Sequence, residues 1–367
     1  MKKLIYAIIT GAIISSCSSE PHYVINGKIE GADSVTFLLQ KREGGRAVTI
    51  DSAFSRDGSF KMKGGPVNYP EMVMLSARDS RMRTTFYLEN SKISIAGKLD
   101  SLFAAKITGS KTQDEYQGFV DSNKELNDQY SGLFNEYQTA RQSGDTIRIS
   151  EIEKQAENIQ DQMIELQKSF VRNNPASFVS PSILSSLSYQ MEADEIESLI
   201  NGMDTEVQNT SLITDLKTRV EAMKKVAVGQ KAPDFSMNDP EGNAVTLYSR
   251  LGSKATLLDF WAAWCSPCRQ ENPNVVKVYK QFARKGFDVF GVSLDQSRDA
   301  WLKAIEDDKL TWTHVSDLQY WNNAAARMYA VSSIPASFLL DENGIIIAKN
   351  LRGEELLAKV KEMVEKQ

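Results

Sequence analysis

The spacing of apolar residues changes twice along the chain, and each spacing is typical of a different kind of element. From Tyr23 to about Gly97, apolar and β-branched residues alternate with a period of about two, and glycine-containing turns separate the runs. From about Gln113 the spacing becomes three to four residues, and after about Gly229 strand-like and helix-like runs follow each other. The chain is therefore predicted to contain three differently built parts.

These parts predict a multi-domain protein, since 367 residues are more than one hydrophobic core usually holds. Residues 18–110 are predicted to form an all-β, sandwich-like or barrel-like domain of antiparallel strands. Residues 111–226 are predicted to be an α-helical segment that opens with two antiparallel amphipathic helices. The aromatic stripe of the first helix is predicted to be core, and a groove for a partner is the alternative. Residues 227–367 are predicted to form an α/β domain that contains a hairpin turn at Asp341-Glu342-Asn343-Gly344.

The first seventeen residues have the composition of a targeting segment. Lys2 and Lys3 precede an apolar run, Leu4–Ile14, that is too short to span a hydrocarbon core of ~30 Å. The run Ile14-Ser15-Ser16-Cys17 resembles the lipobox of bacterial lipoproteins, which implies cleavage before Cys17 and diacylation of its thiol. An ordinary signal peptide with an incidental cysteine is the alternative.

The cysteine count fits this interpretation. The three cysteines are Cys17, Cys265 and Cys268, far too few for a disulfide-based scaffold. If Cys17 carries lipid, the other two remain as a pair that is predicted to be reactive rather than structural. The net charge of −5, without clustered basic residues, argues against nucleic acid as a partner.

The cysteine pair follows a strand-like run that ends in Asp259-Phe260-Trp261, and a helical pattern comes after it. Cys265 is therefore predicted at a helix N-terminus, where free backbone N–H groups and the helix dipole lower the pKa of a thiol from about 8.5 into the range of roughly 3.5–7.5. Cys268 lies one helical turn further on. The two sulfurs can therefore cycle between a dithiol and a disulfide through a mixed disulfide.

Half of a zinc site is the other common reason for two cysteines at this spacing. Structural zinc takes four ligands, usually from two such pairs or from added histidines. The chain has no second pair, and its histidines, His22 and His314, are both far away in the sequence. We therefore expect no metal and no other cofactor, and we expect His314 to be structural.

Residues from about 229 to 367 resemble the thioredoxin superfamily and, within it, the TlpA/ResA-like branch of membrane-tethered bacterial oxidoreductases. The motifs that carry this resemblance are Phe260-Trp261-Ala262-Ala263-Trp264-Cys265-Ser266-Pro267-Cys268, Arg269, Glu271 with Pro273, Ala232-Pro233-Asp234-Phe235, and Ile334-Pro335. The resemblance implies a thioredoxin-like fold and thiol–disulfide exchange with protein disulfides or thiols. The β-rich and helical parts resemble the N-terminal extension of some lipoproteins of this family, whose role is unassigned.

The resemblance also implies roles for individual residues. Cys265 would be the attacking thiol and Cys268 the resolving thiol. Asp259 matches the buried acid that exchanges a proton with the resolving thiol, and a partly exposed aspartate at a strand end is the alternative. Glu271 is a secondary candidate, for which a solvated helical charge is the alternative.

A second group of residues is implied in substrate binding. Pro335 matches the cis-proline that faces the cysteine pair in this fold, and the backbone of Ile334 and Pro335 would pair with the substrate chain. Trp264, Ser266 and Pro267 are candidates for the surrounding docking surface, with a plain core aromatic as the alternative for Trp264.

The predicted function is that of a membrane-tethered thiol–disulfide oxidoreductase that reduces protein disulfides in the periplasm. It would be held to the cell envelope by lipid on Cys17 and recharged by a membrane thiol transporter, both as the resemblance implies. One alternative is a thiol peroxidase of the peroxiredoxin type, which needs a threonine where this chain has Ala262. The other is a redox-inactive anchored binding module. The residues leave open the direction of electron flow and which membrane carries the anchor.

Overall fold

The computed structural model describes residues 22–43 and 46–365. The predicted signal segment, residues 1–17 with Cys17, lies outside these described residues. The chain divides into two compact units. The first holds residues up to Leu166 together with Ser177–Val179, and the second holds Gln167–Ala176 and the chain from Ser180 onward. Within the described part of the chain, no helix is both long enough and apolar enough to cross a membrane.

The first unit begins with β-sheet. Its strands are β1 (Val24–Glu30), β2 (Thr36–Glu43), β3 (Arg46–Phe54), β4 (Ser59–Lys63), β5 (Glu71–Ala77), β6 (Arg83–Leu88), β7 (Lys92–Lys98) and β8 (Lys106–Thr108). In the described residues they form two four-stranded sheets, ordered β4-β1-β7-β8 and β3-β2-β5-β6. Ile25 and Ile95 from one sheet and Phe37 from the other share one apolar core. The predicted β-rich N-terminal domain is confirmed.

One strand pair departs from the prediction of a wholly antiparallel domain. β1 and β7 run parallel over seven residue pairs, from Val24 beside Lys92 to Glu30 beside Lys98. The other named strand pairs of the two sheets are antiparallel. Parallel neighbours need a long crossover connection, and here the intervening strands supply it. Alternation along a strand shows which face is buried but not which way its neighbour runs.

Two long helices follow, α1 (Lys111–Ser143) and α2 (Thr146–Asn173). The Ser110 hydroxyl accepts a hydrogen bond from the backbone N–H of Gln113 and so caps the start of α1, and Gly144 at a φ of 71° ends it. Gln160 donates to the hydroxyl of Tyr130 at 2.9 Å. Tyr130 and Gln160 lie 14 and 16 residues from Gly144, about equally far from the turn, as expected of the predicted antiparallel pair.

The aromatic stripe of α1 is not the core that the periodicity predicted. Phe134 is 59% exposed, and Val120 and Tyr130 are also exposed. The buried residues of α1 are Thr112, Gln113, Asn123 and Ala140. The prediction was wrong because helical periodicity identifies an apolar face without showing what covers it.

The second unit combines short helices with a central sheet. Its helices are α3 (Ser180–Leu187), α4 (Ala193–Asn201), α5 (Thr205–Gln208), α6 (Ser211–Lys225), α7 (Ser266–Phe282), α8 (Arg298–Asp307), α9 (Ala324–Met328) and α10 (Gly353–Glu365). Its strands are β9 (Ser236–Asn238), β10 (Ala244–Thr246), β11 (Ala255–Trp261), β12 (Phe287–Ser293), β13 (Thr313–Ser316), β14 (Ala336–Asp341) and β15 (Ile346–Lys349). The predicted helical segment is therefore shared: α1 and most of α2 belong to the first unit, and α3–α6 to the second.

The central sheet has the strand order β13-β12-β11-β14-β15, which confirms the predicted α/β domain. β11 runs parallel to β12 and antiparallel to β14, with Phe260 opposite Ala336. Every residue of β11 is buried, which explains its continuous apolar run. β14 begins opposite the end of β11. The turn that follows Trp261 and the loop that precedes Ala336 therefore lie at the same end of these two strands.

Candidate active site

Cys265 and Cys268 stand at the N-terminus of α7 and are joined by a disulfide. Cys265 is the N-cap residue, and its Sγ accepts a hydrogen bond from the backbone N–H of Cys268 at 3.2 Å. The two cysteines are only 4% and 1% exposed, whereas Ser266 and Pro267 between them are exposed. In the reduced protein the same N–H group and the helix dipole stabilise a thiolate at Cys265.

Asp295 holds the turn that leads into Cys265. Its Oδ2 accepts a hydrogen bond from the backbone N–H of Ala263 at 2.9 Å and another from the hydroxyl of Ser293 at 2.8 Å. Trp264 donates through its indole nitrogen to the carbonyl of Leu294 at 3.4 Å. The loop after β12 therefore fixes the two residues that precede the cysteine. Sequence reasoning missed Asp295, although an acid directly after a buried strand was visible.

A charged contact joins the first turn of α7, the helix that carries the cysteine pair, to the end of α8. The guanidinium of Arg269 donates two hydrogen bonds to the carboxylate of Asp308, which follows the last residue of α8, and one of them measures 2.7 Å. Asn272 donates to the same carboxylate at 2.6 Å. Such a two-pronged arginine contact restricts the orientation of both partners, so it holds the first turn of α7 in place.

Asp259 is a buried carboxyl group on β11, between Gly291 of β12 and Ser337 of β14. The pKa of Asp259 is raised to about 7, mainly by burial and in part by the Glu271 carboxylate, against the opposing effect of the Arg352 guanidinium. The alternative of a partly exposed aspartate does not describe this side chain. A carboxyl group that titrates near neutrality can take up and release a proton under ordinary conditions.

Glu271 and Arg352 link α7 to the loop before β14. The peptide bond between Ile334 and Pro335 is cis, as the sequence predicted for Pro335, and Arg352 donates to the carbonyl of Pro335 at 2.7 Å. Glu271 accepts from the backbone N–H of Gly353 at 2.8 Å. Glu271 is thus half-buried and hydrogen-bonded rather than a freely solvated helical charge. Arg352 was not singled out in the sequence, because nothing local connects it with Pro335.

Exposed aromatic side chains stand beside the cysteine pair. Trp264 is 45% exposed, and its ring lies 5.0 Å from that of Tyr320 and 6.0 Å from that of Trp321, centroid to centroid. We call these three residues the aromatic cluster. It is open to solvent, so Trp264 is not a plain core residue, whereas Ile334 is half-buried and packs against the core. Tyr320 and Trp321 were not predicted, since they are 55 residues or more from Trp264 in the chain.

His314 belongs to the packing of the sheet, as predicted. Its ring lies between those of Trp261 and Trp312, with centroid distances of 5.4 and 5.6 Å. Burial lowers the pKa of His314 to about 3, so the ring is neutral at physiological pH. Across residues 22–43 and 46–365, no group of three or more histidine, cysteine, aspartate or glutamate side chains is arranged to hold a metal ion.

Two known families match separate parts of the chain. Residues 228–349 match the AhpC/TSA family. Residues 23–116 match a domain of unknown function, DUF4369. The second match covers the β-sheets of the first unit, and the first covers β9–β15 together with the cysteine pair.

Similar proteins are thiol–disulfide oxidoreductases and thioredoxin-like proteins. The thiol-disulfide oxidoreductase ResA of Bacillus thuringiensis subsp. konkukian is 28% identical over 143 residues, 39% of this chain and 80% of that protein. The thioredoxin-like protein YneN of Bacillus subtilis is 37% identical over 121 residues, 32% of this chain and 68% of that protein. Among solved structures, a thiol-disulfide oxidoreductase from Bacteroides fragilis is 35% identical with a TM-score of 0.35, over 36% of this chain and 98% of that one.

Proposed function

Since the chain belongs, through its C-terminal domain, to the thioredoxin-like thiol–disulfide oxidoreductases of the ResA/TlpA type, we propose that it reduces protein disulfides through Cys265 and Cys268. One observation carries this proposal. The two cysteines form a disulfide at a helix N-terminus, where a backbone N–H already donates to the sulfur of Cys265. That arrangement stabilises the thiolate needed for attack.

The reaction transfers two electrons and two protons to the substrate. The Cys265 thiolate attacks one sulfur of a substrate disulfide, forms a mixed disulfide and expels the other substrate sulfur, which takes up a proton. Cys268, as a thiolate, then attacks the sulfur of Cys265 and expels the second substrate sulfur, which is protonated in turn. The products are two substrate thiols and the Cys265–Cys268 disulfide. An external dithiol must reduce this disulfide before the next cycle, and we assign that role to a membrane thiol transporter.

Other residues support these steps. Asp259, with its pKa raised to about 7 by burial, accepts the proton that Cys268 must lose before it attacks. The substrate chain lies along the backbone of Ile334 and Pro335, in the manner of an added strand. Trp264, Ser266 and Pro267 form the exposed surface around the pair on which that chain rests.

The first experiment measures the reduction potential of the cysteine pair in a chain that carries Cys17→Ser. Equilibration in glutathione or dithiothreitol buffers should give a value near or below about −270 mV, which is typical of reductants. A value near about −120 mV would make the protein an oxidant of cysteine-rich substrates. A pair that never cycles between dithiol and disulfide would favour the redox-inactive binding module.

The roles of the two cysteines are tested by trapping. Cys268→Ser removes the resolving thiol, so substrates should accumulate as mixed disulfides on Cys265 and be visible on non-reducing gels. Cys265→Ser is the matched control and should trap none. Turnover of a disulfide peptide should fall at least about a thousandfold in both variants. Adducts found only in Cys265→Ser would reverse the two assignments.

We also propose that lipid on Cys17 tethers the chain to the cell envelope, with the catalytic domain facing the periplasm. The support is the run Ile14-Ser15-Ser16-Cys17 behind a short apolar segment. Labelled fatty acid should be incorporated into the wild-type chain and not into Cys17→Ser. Equal labelling of both chains would exclude this anchor.

A thiol peroxidase is the competing activity to test. The residue three positions before Cys265 is the buried Ala262 rather than the threonine that a peroxiredoxin uses. The reduced chain should therefore consume hydrogen peroxide no faster than a small dithiol of the same concentration. Rapid, saturable peroxide consumption would instead favour the peroxidase.

A further inference from the structure

A cavity of about 330 Å³ lies within the second unit and borders the cis-proline. Its walls come from residues 188–192, the later half of α6, residues 329–336 and the end of β15 with the residues that follow it. Pro335 lines it, whereas neither cysteine does. The cavity is therefore separate from the disulfide but shares the loop on which we place the substrate chain.

The charged residues that line the cavity are mostly basic. They are Arg219, Lys349 and Arg352, against the single acid Glu192. None of the three basic side chains has an ion pair with a carboxylate of the described residues within 4.0 Å. The lining of the cavity therefore carries an excess of positive charge without an ion pair among the described residues, although Arg352 also acts electrostatically on Asp259.

Arg219 is the most constrained of these groups. Its Nη1 donates to the hydroxyl of Ser188 at 3.1 Å and its Nη2 to the hydroxyl of Ser332 at 2.9 Å. Its Nε is buried without an acceptor among the described residues. The guanidinium also lies 4.5 Å from the ring centre of Tyr189. A half-buried guanidinium that has neutral partners and one unsatisfied N–H is costly unless an anion completes it.

The desolvation of Arg219 agrees with this geometry, because burial lowers the pKa of its guanidinium. Each Nη of Arg219 carries a second N–H besides the one donated to Ser188 or Ser332, and a carboxylate in the cavity can accept from these groups. The backbone of Pro335, on the cavity wall, is held by Arg352 through its carbonyl. Because Pro335 lines the cavity, a substrate strand that lies along this residue can direct one of its side chains into the cavity.

We propose that this cavity is a subsite for a carboxylate side chain of the polypeptide substrate, recognised by Arg219. The inference rests on the proposed function, since it assumes that the substrate chain runs along Pro335. It adds a substrate class: disulfide-containing polypeptides with an aspartate or glutamate a few residues from the cysteine that is attacked.

The test compares disulfide peptides that are identical except for one glutamate or glutamine, moved through the positions next to the cysteine. With the reduced full-length chain, kcat/KM should favour glutamate over glutamine by about tenfold at one position or more, as a charge-assisted hydrogen bond would give. In Arg219→Gln this ratio should fall to about one at every position. The ratio is measured within each variant, so a general loss of active protein cancels.

Arg284→Gln is the matched control, because Arg284 is an exposed arginine of the same unit that does not line the cavity. It should keep the wild-type ratio. A wild-type ratio near one throughout, or a preference that survives in Arg219→Gln, overturns the inference while disulfide reduction itself continues. Free glutarate that protects Arg219 from an arginine reagent, without any peptide preference, would make a small free carboxylate the ligand and also overturn it. If no peptide is reduced at all, the proposed function fails instead.

Discussion

The two units of this protein bury different chemical groups. In the first unit the buried polar side chains among the described residues are neutral: Ser55, Thr84, Ser110, Thr112, Gln113, Asn123 and Ser177. The second unit buries Asp259, Asp295 and His314 in addition to the cysteine pair. Asp259 lies on β11, Asp295 lies just after β12, His314 lies on β13, and the two cysteines stand at the start of α7.

The difference in buried ionisable groups indicates which unit uses its interior for packing alone and which also uses it for chemistry. A buried ionisable group costs free energy, because water no longer solvates its charged form. In the first unit no described carboxyl group is fully buried, and the half-buried Glu71 is the carboxyl group there whose pKa burial raises. The second unit bears this cost around the cysteine pair, where the proposed reaction activates a thiol and moves a proton. Substitutions at five residues test whether this contrast holds: Asp259, Leu39, Asp295, Glu271 and Arg352.

The largest effect is expected from removing the charge of Asp259. Its pKa is about 7 in the folded protein against a reference of 3.8, so the folded state binds the proton more tightly. The contribution of Asp259 to the free energy of unfolding is therefore greatest below pH 3.8 and falls as the pH rises. Above about pH 7 the buried carboxyl group is ionised and this contribution is lost completely. Asp259→Asn should raise the free energy of unfolding at pH 8 by up to about 4 kcal/mol, and should change it little at pH 4.

Urea unfolding at the two pH values measures this difference, and disulfide exchange should slow in the same variant. Asp161→Asn, at an exposed position in α2, is the matched control and should show no such pH dependence. If Asp259→Asn were no more stable than the wild type at pH 8, burial of the Asp259 carboxylate would not destabilise the second unit.

The converse test removes apolar volume from the first unit. Leu39 is fully buried on β2, so Leu39→Ala should destabilise that unit by roughly 3 kcal/mol. The reduction potential and the exchange rate of the cysteine pair should not change, because Leu39 contributes to packing alone. Val48→Ala, at an exposed position on β3, should cost less than about 0.5 kcal/mol. A changed reduction potential in Leu39→Ala would contradict the view that the first unit contributes packing and not the chemistry of the cysteine pair.

A smaller effect is expected at Asp295, the buried acid with a positioning role. Asp295→Ala leaves the N–H of Ala263 without its acceptor, which should cost about 1–3 kcal/mol. The turn into Cys265 then loses its support, so the exchange rate should fall by about tenfold. Asp295→Asn keeps an acceptor oxygen and should recover part of both losses. Full activity in the alanine variant would mean that Asp295 only stabilises the fold.

The elements that the sequence predicted are those with strong local patterns. The buried run of β11, the helix after Cys265 and the hairpin turn before Gly344 each carry their own periodicity or turn residues. The four-residue strand β13 was missed, because so short a segment shows no reliable period. The parallel pairing of β1 with β7 was missed because strand direction is a property of the whole sheet.

The same limit applies to the site. The cysteine pair could be placed at a helix N-terminus from its neighbouring residues, whereas the place of Pro335 was implied by the family resemblance. Asp295, Arg352 and Trp321 reach the site from separate loops, and only tertiary structure brings them there. The cost of burying Asp259 likewise depends on neighbours from two other strands, which no local pattern contains.

The smallest expected effect is a change in the pKa of Asp259 when one of the two charges that act on it is removed. Burial is the main cause of its raised pKa, the charge of Glu271 adds to it, and the charge of Arg352 opposes it. Glu271→Gln should therefore lower the pKa of Asp259 and Arg352→Gln should raise it, each by less than burial does. Carboxyl ¹³C NMR titration measures both shifts, with the exposed Glu355→Gln as the matched control.

Opposite signs are the informative result, because Glu271 and Arg352 also make structural contacts, with Gly353 and with Pro335. If loss of those contacts merely loosened the site, water would reach Asp259 in both variants and its pKa would fall in both. A fall in one variant and a rise in the other would show that charge, acting through a buried environment, sets the proton affinity of this carboxyl group. The half-buried Glu71 of the first unit allows a parallel experiment, because burial raises its pKa, the charge of Lys41 lowers it and the charge of Glu43 raises it.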